Sequence, residues 1–121
     1  MKIMESAQNY LETIYMLQKK NGSVRSIDIA HELSYSKPSV SVAMKNFREA
    51  GYVTVDENGE IRLTKKGEAI AISMYERHTL IAKALMPIGV SEETEYKDSC
   101  KIEHHISDES FEKIKNFINN K

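Results

Sequence analysis

The sequence predicts a mainly α-helical fold carrying a single β-hairpin. Three observations point to it. Apolar residues recur at spacings of three and four over most of the chain, the period of helices that bury one face. Two short stretches, Val53-Thr54-Val55 and Ile61-Arg62-Leu63, alternate instead, with the turn Asp56-Glu57-Asn58-Gly59 between them. Serines, one Asn-Gly pair and two prolines fall where helices should start and stop.

Residues 4–18 read as a first helix, with Ala7, Tyr10, Leu11, Ile14 and Leu17 on one stripe and Glu5, Asn9 and Glu12 on another. Asn21-Gly22 ends it. Ser26 is the expected N-cap of a short helix carrying Ile27, Ile29, Ala30 and Leu33. After a turn at Ser34-Tyr35-Ser36, Ser36 caps a third helix, with Lys37 and Pro38 in its first turn, where proline's missing N–H is harmless. Val40, Met44 and Phe47 give that helix an inward face, Ser39, Ser41 and Lys45 an outward one, and Gly51 ends it. The hairpin follows. Thr64 then caps a long helix from about Lys65 to Met86, stopped by Pro87. Ser91 caps a further helix with Glu92 and Glu93 in its first turn. Ser107 caps the last, whose stripe is Phe111, Ile114, Phe117 and Ile118.

Helix, turn, helix and hairpin in this order make a winged helix-turn-helix, expected over residues 1–64. Residues 65–121 form a helical domain. Its residues Ile81, Leu85, Met86, Ile88 and Val90 cluster near a proline and call for a cover, which a homodimer would supply.

With 121 residues, 40% apolar and 29% charged, the chain is globular. One cysteine excludes an intrachain disulfide and suits a reducing, cytoplasmic home. No apolar run reaches membrane-spanning length, and the start, Met1-Lys2-Ile3-Met4-Glu5, lacks a secretory apolar core. The formal charge of −1 hides an asymmetry. Lys19 to Arg48 holds six basic and two acidic residues, a net +4, whereas Glu76 to the end carries a net −2.

The basic share falls on the helix-turn-helix. The start of its second helix, Ser36, Lys37, Pro38, Ser39, Ser41 and Val42, offers backbone N–H groups, small hydroxyls and apolar contacts suited to phosphates and thymine methyls. Arg25, Lys37, Lys45, Arg48 and the wing residue Arg62 are phosphate candidates. Without Arg, Gln or Asn in the first turn and a half, recognition leans on DNA shape.

The acidic share contains Cys100-Lys101-Ile102-Glu103-His104-His105. On a helix Cys100, Glu103 and His104 project from one face, and thiolate, carboxylate and imidazole together suit a first-row divalent metal. His105 points about 100° away and reads as surface or as support behind the ligands. Glu12, Asn9 and His78 could complete one site or two neighbouring ones.

At this point the sequence resembles the metalloregulators of the diphtheria-toxin repressor and manganese transport regulator family. The matching residues are Tyr10-Leu11-Glu12-Thr13-Ile14-Tyr15, Ser36-x-Pro38-Ser39-Val40-Ser41, Gly51-Tyr52-Val53, Leu63-Thr64-x-x-Gly67, Arg77-His78, Ile88-Gly89-Val90 and Cys100-x-x-Glu103-His104-x-Ile106-Ser107. The resemblance implies a homodimeric repressor activated by Fe2+ or Mn2+, binding a palindromic double-stranded operator and controlling metal-ion homeostasis, with no membrane partner. Co2+, Zn2+ or Ni2+ would substitute in vitro. Its metal ligands map onto Asn9, Glu12, His78, Cys100, Glu103 and His104. Glu12, His78, Glu103 and His104 match the manganese-type pattern, Cys100 the iron-type pattern, and Asn9 departs from both. No counterpart of the SH3-like third domain of iron-type members is expected within these 121 residues.

On this reading, carboxylates and a thiolate repel one another until a divalent cation links the two domains and fixes the two recognition helices of a dimer about 34 Å apart. A winged-helix redox or small-ligand sensor using Cys100, with His104 as its activator, is the alternative. A metal-dependent hydrolase is disfavoured, since no H-E-x-x-H motif occurs, and the protein is expected not to be an enzyme.

Overall fold

A computed structural model describes residues 5–120. Met4, expected to open the first helix, and the rest of the segment Met1–Met4 lie outside the described residues. The elements are α1 (Glu5–Asn21), α2 (Ser26–Leu33), α3 (Lys37–Glu49), β1 (Val53–Val55), β2 (Ile61–Leu63), α4 (Lys65–Leu85), a 3-10 turn (Met86–Ile88), α5 (Glu92–His105) and α6 (Asp108–Asn119). The chain divides into two compact units, Met1–Ile72 and Ser73–Lys121, with the boundary inside α4.

The first unit is the expected winged helix-turn-helix. Its core gathers Leu11, Ile14 and Leu17 of α1, Ile29 and Ala30 of α2, Val40 and Met44 of α3, and Val53 and Ile61 of the hairpin. β1 and β2 pair antiparallel with Val53 opposite Leu63 and Val55 opposite Ile61. The Ile61 N–H donates to Val24 O at 2.7 Å, which fastens the hairpin to the α1–α2 connection. An edge-to-face aromatic series, Tyr35, Tyr10, Phe47 and Tyr52, runs along one side of the core with centroid separations of 5.5, 5.5 and 6.4 Å.

Caps explain the boundaries. Ser36 accepts from the Ser39 N–H at 3.2 Å and opens α3 as expected. Thr64 Oγ1 accepts from the Gly67 N–H at 3.2 Å and donates to Gly51 O at 2.6 Å, so one hydroxyl starts α4 and ties it to the end of the previous segment. Gly67 must be glycine for lack of room, because a Cβ there would stand 2.1 Å from Tyr52 O. Ser26 is not the cap of α2. Arg25 is, because its backbone N–H donates to Asp28 Oδ2 at 2.9 Å and draws Ser26 into the first turn. α4 ends at Leu85, and Met86–Ile88 continue as a 3-10 turn around the proline.

In the second unit Ser91 and Ser107 cap α5 and α6, accepting from the N–H groups of Thr94 and Ser110 at 3.3 and 3.1 Å. The expected apolar patch is open in part, with Met86 and Ile88 exposed. Ile81 is already buried within the chain, Leu85 and Val90 are half-buried, and the large apolar side chains left most open are Ile88 and Phe117, 76% and 65% exposed. Among the described residues no helix is long and apolar enough to cross a membrane.

Candidate functional site

Two helices of the second unit build a cluster of donors. α4 carries His78, and α5 carries Cys100 and Glu103, three residues apart and so on one face. One ligand atom from each of His78, Cys100 and Glu103 lies within 4.8 Å of the other two. His78 Nδ1 stands 3.0 Å from Glu103 Oε2 and 4.0 Å from Cys100 Sγ. His104 follows on α5 and places Nε2 3.5 Å from the other oxygen, Glu103 Oε1. The Glu103 carboxylate, 1% exposed, therefore stands between two imidazoles. The ring of Tyr96 packs edge-on against His78, with centroids 5.4 Å apart.

The electrostatics follow from this packing. A carboxylate taken out of water needs a positive partner. Hydrogen bonding to Cys100 and to Glu103 holds the His78 imidazole charged and pushes its pKa up to about 10, against the opposing effect of burial. The nitrogen, oxygen and sulfur donors that meet here suit a first-row divalent cation, which His78, Cys100 and Glu103 would hold in their deprotonated forms. Convergence of all three groups on one point favours a metal centre over the sensor in which Cys100 acts as a lone reactive thiol.

The remaining expected ligands lie on α1 of the first unit, where Glu12 is buried and Asn9 half-buried. His105 is exposed. Arg77, the residue before His78 on α4, is a functional candidate that the sequence does not single out. It is buried, with its guanidinium among carbonyls at the end of α5. The only sequence signal for it was the Arg-His pair itself.

The ten residues expected to meet DNA all lie on the surface of the first unit: Arg25, Ser36, Lys37, Pro38, Ser39, Ser41, Val42, Lys45, Arg48 and Arg62. Val42 is 60% exposed, an apolar side chain left in solvent on the outer face of α3. Two of the cations already have partners inside the unit. The Arg25 guanidinium donates to the backbone carbonyl of Asn58 in the wing turn, and Arg62 pairs with Glu60 at 2.6 Å. Lys37, Lys45 and Arg48 project from α3 itself.

Residues 2–60 match the model of the iron dependent repressor N-terminal DNA binding domain, and residues 64–121 that of the iron dependent repressor metal binding and dimerisation domain. The HTH-type transcriptional regulator MntR of Lysinibacillus sphaericus (strain C3-41) is 34% identical over 113 residues, 93% of this chain and 81% of the relative. The transcriptional regulator MntR of Escherichia coli O157:H7 is 31% identical, over 93% of this chain and 73% of its own. Among solved structures, the manganese regulator SloR superposes with a TM-score of 0.81 at 31% identity, over 93% of this chain. A manganese-dependent transcriptional repressor complex with manganese superposes with a TM-score of 0.83 at 26% identity, also over 93% of this chain. The chain spans about half the length of these two structures, 53% and 52%.

Proposed function

The chain belongs to the iron-dependent repressor family, and from that premise we propose that it is a transcriptional repressor activated by Fe2+ or Mn2+, which binds operator DNA as a homodimer and controls metal-ion homeostasis. The observation that carries the proposal is the convergence of His78, Cys100 and Glu103 in the half of the chain that matches a metal binding and dimerisation domain. We assign DNA binding to residues 1–64 and metal binding with dimerisation to residues 65–121.

The proposed ligands are Asn9, Glu12, His78, Cys100, Glu103 and His104, forming one centre or two neighbouring ones. When bound, a divalent cation supplies the positive charge that these donors otherwise take from protons. Glu103 offers a carboxylate already stripped of water, and His78 must give up the proton it holds at Nδ1 toward Glu103 Oε2. Cys100 adds a soft donor that leans toward Fe2+, Co2+ and Zn2+, while Glu12 and Asn9 add hard oxygen suited to Mn2+. Ser36, Pro38, Ser39, Ser41 and Val42, with Lys37 beside them at the start of α3, are proposed to meet the major groove. Arg25, Lys37, Lys45, Arg48 and Arg62 are proposed to lie along the phosphates. A dimer calls for a palindromic site with half-sites one helical turn, about 34 Å, apart.

The test uses DNA selected from a random library by the protein loaded with Mn2+. Binding of that DNA is then measured by fluorescence anisotropy with Mn2+, with Fe2+ under anaerobic conditions, and with a chelator. Metal-dependent binding by the natural sequence, lost in Glu103→Ala while the variant remains a folded dimer, supports the function. Equal binding with metal and with chelator contradicts it.

A further inference from the structure

Arg77 sits one residue before His78 on α4 and faces the joint between α5 and α6. α5 stops at His105, so the carbonyls of its last turn have outrun their intrahelical N–H partners. Arg77 Nη1 donates to two carbonyls at this end, Glu103 O at 3.3 Å and Ile106 O at 2.6 Å. Arg77 Nη2 donates to Asp108 Oδ1 in the first turn of α6, and the guanidinium lies 5.2 Å from the centroid of the Phe111 ring. Its Nε is buried with no hydrogen-bond partner among the described residues, so the acceptors at the other two nitrogens dictate where the group sits.

We propose that Arg77 is the positioning residue of the metal centre. Its forked cation caps the C-terminal end of α5 from a neighbouring helix, and so sets where Glu103 and Cys100 stand relative to His78. The proposal rests on the metal-centre reading above. Residue order makes the coupling direct. Arg77 and His78 are consecutive on α4, and the carbonyl that Arg77 grips belongs to Glu103, whose carboxylate meets His78 at 3.0 Å. A cation at a helix C-terminus is favourable in its own right. Lysine cannot replace the fork, because one ammonium cannot hold two carbonyls and a carboxylate in this planar arrangement. Asp108 is 94% exposed at its side chain and acts as the outer stop that orients Nη2.

Co2+ is the probe, because its ligand-field bands and its thiolate charge-transfer absorption report the geometry around Cys100 independently of DNA binding. The variants are Arg77→Lys and Asp108→Asn. Lys115→Ala is the control, since it removes an exposed ion pair between α6 and α4, Lys115 to Glu76 at 2.7 Å. Arg77→Lys is expected to keep apo helical content and to bind Co2+ about tenfold more weakly, with shifted ligand-field bands, as loss of a ligand's supporting partner does elsewhere. Asp108→Asn should change both readouts in the same direction by less, and Lys115→Ala should change neither. Wild-type cobalt affinity and spectrum in Arg77→Lys would overturn the proposal. Should that variant fail to fold, a wild-type spectrum in Asp108→Asn does so instead. If the natural sequence itself binds no Co2+, the metal-centre reading fails and this proposal with it, an outcome distinct from binding that the variants leave unaltered.

Discussion

At Glu103 a buried carboxylate faces His78 on one oxygen and His104 on the other, and this residue defines the chemistry of the second unit. The sequence placed Cys100, Glu103 and His104 on one helical face through spacing alone. It could not show that Glu103 would be the buried member or that His78 would bring its Nδ1 to it from another helix, since packing between helices leaves no local signature. The raised pKa of His78 gives a pH prediction with a definite sign. Its folded value of about 10 lies above the unfolded 6.5, so the stabilisation is full below about 6.5 and declines as pH rises toward 10. The metal-free protein should therefore lose thermal stability steadily from about pH 7 to 9. The added stability from Mn2+ should grow over the same range, because the cation takes the proton's place. Melting curves with chelator and with Mn2+ at each pH check this, and an Mn2+ increment that shrinks as pH rises would contradict it.

Among the described residues, capping hydroxyls and the period of apolar residues were enough to locate the six α-helices, because both signals act within one or two turns. The one misplaced cap shows the limit. Ser26 has the right side chain, but Asp28 accepts the N–H of the residue before it and shifts the start to Arg25. In the apolar patch expected near Pro87, Met86 and Ile88 are exposed while Ile81 is buried. Two substitutions test the element account in opposite directions. Gly67→Ala should destabilise the first unit by about 1–3 kcal/mol, because its Cβ would meet Tyr52 O at 2.1 Å and backbone cannot step aside cheaply. Ser34→Gly should stabilise it by roughly 1 kcal/mol, since Ser34 closes α2 with a φ of 57°, a left-handed conformation that a side chain disfavours. Urea unfolding of both variants gives the two signs.

For the molecule as a whole, the near-zero net charge conceals a stretch of net +4 from Lys19 to Arg48 and one of net −2 from Glu76 to the end. The winged helix-turn-helix was legible because it is a sequence of local elements. Arg25 was legible only as a charge. Its hold on the Asn58 carbonyl makes it a support of the wing turn as well as a phosphate candidate. If Lys45 meets a phosphate, Lys45→Ala should weaken binding to all DNA sequences alike and reduce the dependence of log affinity on log salt by about one per DNA-contacting protomer. Loss confined to one DNA sequence would instead mark Lys45 as a base contact. Metal-activated repression requires coupling between the donors around Glu103 and the face of α3. The direct measurement is the affinity for selected palindromic DNA as Mn2+ or Fe2+ is titrated into the natural chain and into Glu103→Ala. Tightening of at least tenfold in the natural chain, absent from a dimeric Glu103→Ala, is the predicted result. Metal-stimulated binding of equal size in both would contradict it.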